Sequence, residues 1–200
     1  MQEECHTSDQ YIKAICFEPL HQPMSEELAR VCFAGTNPQP DGLDSDTSTG
    51  LAISENPRNA SITIPIGPEP MVPPDGPLEL AMYTAKFWSP GSTLRIRFLA
   101  GTDWQKGKVK AYAKQWCDYG YIKFQFVDSG ECEILVDFNP TRGSWSYIGT
   151  DNRYFSGQGK ASLNLGWIFE DRSEDVLRQV ILHEFGHALG KDSMEQACCL

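Results

Sequence analysis

The sequence predicts an α+β domain in which a twisted, mixed β-sheet packs on two helices, preceded by an irregular Pro-rich region. Three observations predict it. Proline concentrates before residue 80, from Pro19 to Pro77, and segments that alternate apolar and polar residues begin only after it. Two stretches of helical periodicity interrupt those segments, one ending before Gly120 and one before Gly190. The resulting order is strand, helix, strands, helix. A right-handed crossover then makes the first two main strands parallel.

Residues 1–80 read as an irregular N-terminal region, a pro-segment or linker, and residues 81–200 as the folded domain. In the first part, Ser25 caps a short helix to about Phe33, with Gly35 as its stop. Residues 35–56 are polar, acidic and rich in Thr, Ser and Gly, which is loop composition. Leu80 to Tyr83 reads as a short helix leading to Phe87 and Trp88. Thr93 to Leu99 alternates and reads as a strand. Trp104 to Asp118 places Val109, Tyr112, Ala113 and Trp116 on one helical face. Strands are expected at Ile122 to Val127, Cys132 to Phe138, Gly143 to Gly149 and Ala161 to Trp167. The last helix starts at a cap on Asp171 or Ser173, with Glu174 and Asp175 suiting its positive end. Apolar residues surround most of it, so a central, buried position is expected.

Composition narrows the function classes. Seventeen Lys and Arg stand against 27 Asp and Glu, a net charge of -10. Nucleic-acid binding favours a basic face, so no nucleic-acid partner is expected. No apolar run is long enough to span a bilayer, so no membrane partner is expected. The first residues carry neither a basic n-region nor an apolar h-region. As written, the chain reads as cytoplasmic, or as extracellular if the true start lies upstream. Ala197-Cys198-Cys199-Leu200 lacks the cysteine position of a prenylation box. Seven cysteines without a CxxC pair read as ordinary thiols. Asn59-Ala60-Ser61 matches a glycosylation acceptor, a triplet common by chance. The oligomeric state is left open.

The chemistry concentrates in His183-Glu184-Phe185-Gly186-His187-Ala188-Leu189-Gly190. Histidines four apart lie on one face of a helix, and their nitrogens can converge on one zinc ion at about 2.0–2.1 Å. Glu184 lies about 100° around the helix from His183, so it flanks such a metal without needing to bind it. A carboxylate there can take a proton from a zinc-activated water and pass it to the leaving nitrogen of a peptide bond. Gly190 ends the helix in a left-handed turn. A buried helix whose His and Glu are structural is the other reading of the same residues.

With these residues the chain resembles the metzincin metallopeptidases, especially the astacin-like branch and related fungal metallopeptidases. The resemblance rests on residues 183–190 and on Gly143-Ser144-Trp145-Ser146-Tyr147-Ile148-Gly149. The strand from Leu94 to Leu99, the helix ending near Trp116, and Ser162 to Gly166 follow the same order of elements. It covers residues 85 to 190 and leaves residues 1–80 outside. It implies a zinc metalloendopeptidase with a metzincin-like N-terminal subdomain. His183 and His187 would bind zinc and Glu184 would be the general base. Trp145, Ser146 and Tyr147 would lie on an antiparallel edge strand that pairs with a polypeptide substrate; ordinary strand packing is the other reading of Trp145 and Tyr147.

The family pattern continues with a third histidine where this chain has Ser193, a poor zinc ligand. Met194 comes too early for the family's methionine turn. The sequence thus predicts an incomplete site on a C-terminally truncated or alternatively spliced chain, with marginal stability of the motif helix. Two alternatives follow: a non-catalytic relic or peptide-binding module, and a regulatory fragment in which Cys198 or Cys199 caps the zinc.

Overall fold

The computed structural model describes residues 42–61 and 86–190. Five strands form one mixed sheet: β1 (Thr93–Phe98), β2 (Lys123–Val127), β3 (Ile134–Asp137), β4 (Ser144–Ser146) and β5 (Leu163–Leu165), in the order β2-β1-β3-β5-β4. β2, β1, β3 and β5 run parallel, and β4 closes one edge antiparallel to β5. The parallel pairing of β1 with β2 and the antiparallel edge are both as expected. Each observed strand is shorter than the expected segment. Leu99, for example, lies beyond β1 and is 52% exposed, although its N–H still donates to Val136 O at 2.8 Å.

Two helices cover one face of the sheet, α2 (Asp103–Ala113) and α5 (Glu174–Ala188). Val109 and Ala113 of α2 and Val176, Leu177, Val180, Ile181, Phe185 and Ala188 of α5 meet Leu94, Ile96, Ile134, Val136, Leu163 and Leu165 in one core. The alternation of each strand sends these residues to the same face. α2 begins with a reciprocal capping box: Gln105 N–H donates to the Thr102 hydroxyl, and the Gln105 side chain accepts from Thr102 N–H. The helix expected to run to Asp118 breaks at Lys114, and α3 (Gln115–Tyr119) continues it to the Gly120 stop. Trp116 then donates its indole N–H to Leu182 O of α5 at 3.1 Å. For α5 the cap is Ser173, not Asp171.

Two helices have no counterpart in the sequence reading. The polar stretch read as loop contains α1 (Ser45–Glu55), followed by a 3-10 turn at Pro57–Ser61. Asp44 caps α1 through Thr47. α1 has almost no apolar face; of its residues only Ser48 and Ala52 are buried, so periodicity does not reveal it. The second is α4 (Asp151–Gly157), which packs against β3 and α1. It is held locally, Asn152 Nδ2 donating to Tyr147 O and Gly149 O, and by a tertiary partner, Ser156 Oγ donating to Cys132 O. The expected helices at Ser25–Phe33 and Leu80–Tyr83 lie outside the described residues.

Asn59 of the glycosylation triplet is buried, and its Nδ2 donates to Ala52 O and Phe87 O at 2.8 and 2.9 Å. The nitrogen that would carry a sugar is therefore engaged in the folded chain. Cys117 and Cys132 are free, and burial pushes both thiols up, which suits inert packing groups. Among the described residues no helix is long and apolar enough to cross a membrane.

An ion-pair cluster joins the ends of the sheet to α4. Glu133, nearly fully buried, accepts from Arg95 N–H at 2.6 Å and Arg95 Nη2 at 2.7 Å, and Arg153 lies 3.3 Å away. Burial opposes ionisation of Glu133, yet the Arg95 hydrogen bonds and the two guanidinium charges outweigh it and hold the carboxyl below its usual 4.5. A depressed carboxyl adds stability above its unfolded pKa, and this is lost as pH falls through the folded value. Glu133→Gln is therefore expected to lower stability by about 2 kcal/mol at pH 7. In melts at several pH values, the gap to the parent should shrink below pH 4.5. A gap independent of pH would refute the assignment.

Candidate metal centre

The site grows out of the last two turns of α5. Its helical rise brings His183 and His187 together on one face, with Nε2 to Nε2 at 3.1 Å. The rings are nearly perpendicular, with centroids 4.7 Å apart. His183, Glu184 and His187 are all buried. Burial, reinforced by the His187 charge, pushes His183 down to about 3, so it stands as a neutral imidazole with a lone pair to give. His183 Nδ1 is buried and has no hydrogen-bond partner among the described residues. Phe185, between the functional residues, faces the other way and packs at 5.5 Å on Phe124 of β2. It anchors the helix in the core while the histidines turn out of it.

Two nitrogens each about 2.0–2.1 Å from a tetrahedral zinc lie roughly 3.3 Å apart. The observed 3.1 Å matches that spacing, and the neutral state of His183 supplies the right donor. These two residues therefore fit a metal. Among the described residues no group of three or more His, Cys, Asp or Glu gathers around one point. Asp192, Ser193, Glu195, Cys198 and Cys199 lie outside the described residues, as do His6 and His21.

β4 packs against α5 and carries Trp145 and Ser146, with Tyr147 next in the chain. Gly166 N–H donates to Gly143 O, and Tyr147 N–H to Ser162 O, both at 3.1 Å. With Trp145 opposite Asn164, the odd residues bond to β5 and the main chain of Ser144 and Ser146 faces the outer edge. The strand is at the edge, as expected, but Ser144, Trp145 and Ser146 are buried rather than exposed. Tyr147 stacks on Phe155 of α4 at 3.9 Å, and Arg142 lies over Trp145 at 5.5 Å.

The groups that hold the end of α5 carry no motif in the sequence. Gly149 N–H donates to His187 O at 2.9 Å, and the Trp88 indole N–H to Ala188 O at 2.8 Å. Gly149 has φ 51°, a left-handed conformation that favours glycine. Its place at the end of a glycine-bounded strand is the one signal the sequence offers.

No protein-family model and no curated protein matches the chain. Two solved structures of myroilysin do match. The first is 37% identical with a TM-score of 0.50, covering 53% of this chain and 51% of that one. The second is 36% identical with a TM-score of 0.49, covering 52% of this chain and 45% of that one. The chain thus spans about half the length of these structures. The first likeness supports a metallopeptidase-like fold for this chain.

Proposed function

We propose that the chain is a zinc-dependent metalloendopeptidase that hydrolyses peptide bonds of a polypeptide substrate. His183 and His187 are the metal ligands and Glu184 is the general base. The observation that carries this is the pair of buried imidazoles on α5, 3.1 Å apart at Nε2, with a buried carboxylate between them in sequence. Zinc, when bound, makes a water acidic near neutral pH and polarises a carbonyl. Glu184 takes the proton of the attacking water and returns it to the leaving nitrogen. The outward-facing main chain of Ser144 and Ser146 supports pairing with an extended peptide, which gives affinity with little demand on side chains. Because these residues are buried, that pairing requires the edge to be uncovered first.

The purified chain is expected to hold one zinc per molecule in metal analysis and to cleave a denatured protein. Removing the metal with a chelator should abolish cleavage, and zinc should restore it. Zinc without any cleavage would favour the non-catalytic, peptide-binding reading. Loss of zinc in a Cys198→Ser, Cys199→Ser double variant would favour the capped, regulatory one.

A further inference from the structure

We propose that Asp151 is a positioning residue for His187: its buried carboxylate, held by Ser48 and Lys86, fixes the turn whose amide secures the end of the metal helix. This rests on the metal reading above. A helix leaves its last carbonyls without partners in the helix itself. In α5, His187 O accepts from Gly190 N–H of the helix's own last turn and also from Gly149 N–H, both at 2.9 Å, and Ala188 O accepts from the Trp88 indole, so two separate segments meet the helix end. Those segments are bound to each other. Thr150 N–H donates to Lys86 O at 3.1 Å, and Lys86 Nζ lies 2.5 Å from Asp151 Oδ2.

Asp151 is 2% exposed, and its other oxygen accepts from Ser48 Oγ of α1 at 2.6 Å. A buried carboxylate is tolerated only where partners meet it, so loss of either loosens the turn. The strap at residues 86–89 is tied to α1 as well. Asn59 Nδ2 donates to Phe87 O at 2.9 Å, and Ser89 Oγ to Glu55 O at 2.5 Å. Residues 44–61, more than a hundred positions before the histidines, thereby help decide where the His187 main chain sits. Asp151 acts on His187 through the Gly149–His187 bond.

The test uses the full-length chain and cobalt(II) as the probe metal, with affinity read by competition against a chromophoric chelator at a temperature where parent and variant are both folded. Asp151→Asn is expected to weaken cobalt binding about 10-fold to 100-fold, as for other groups that orient metal ligands. Amide exchange at Gly149 and in the last turn of α5 should quicken, while Glu184→Gln leaves that exchange unchanged. A folded Asp151→Asn chain with parental cobalt affinity and parental exchange overturns the proposal. If Asp151→Asn does not fold, Ser48→Ala, which removes one partner and keeps the carboxylate, is read by the same outcomes. A parent chain that binds no cobalt overturns the metal reading itself. The exchange data then still report whether Asp151 holds the turn.

Discussion

Glu184→Gln is expected to lower kcat/KM by about 10²-fold to 10⁴-fold while leaving zinc content unchanged. Glutamine has the shape of glutamate but cannot accept and return a proton at neutral pH. Glu184 projects about 100° away from His183 around the helix, so removing its charge leaves the two imidazoles in place. Metal analysis and a cleavage assay on the same preparation separate the possible roles. Retained activity would exclude Glu184 as the base. Loss of zinc together with activity would instead make it a ligand or a support of the ligands. The parallel substitution His187→Ala should remove both zinc and activity, which distinguishes the two positions.

Gly149→Ala is the second large effect, and it acts on folding. Gly149 has φ 51°, where a residue with a Cβ is strained by about 1–2 kcal/mol. A Cβ at this position would lie 2.0 Å from Lys86 O, a main-chain atom that cannot swing aside. Relieving that overlap moves the strap or the turn, at about 1–3 kcal/mol. Together these lower stability by about 4 kcal/mol, a fall in Tm of roughly 10 °C for a chain of this size. Gly130 provides the control, with φ 85° and no atom within 4 Å of where its Cβ would stand. Gly130→Ala carries only the backbone strain. If the two substitutions shift Tm equally, the close approach to Lys86 has no energetic weight.

Much of the frame is legible in the sequence because its elements satisfy local rules. The strands alternate, α2 has one apolar face, and α5 joins an N-cap to a buried apolar body and a glycine stop. His183, Glu184 and His187 are readable for the same reason: the helical period alone places two of them on one face. α1 and α4 obey no such rule. Most of their residues are polar, and partners distant in sequence help to order them, Ser48 with Asp151 and Ser156 with Cys132. A side chain that gains its role from a partner a hundred residues away leaves no periodic trace.

Residue order alone is enough to single out the candidate ligand pair and candidate base, the parallel start of the sheet and its antiparallel edge strand, since each follows from spacing, handedness or a motif resemblance. It takes the folded chain to bring the two imidazoles to 3.1 Å in a buried setting and to cover the edge strand. The hydrogen bonds that link the end of α5 to α1 likewise exist only once the chain has folded. Desolvation and the satisfaction of orphaned carbonyls depend on which segments meet in space, and no local pattern encodes that meeting.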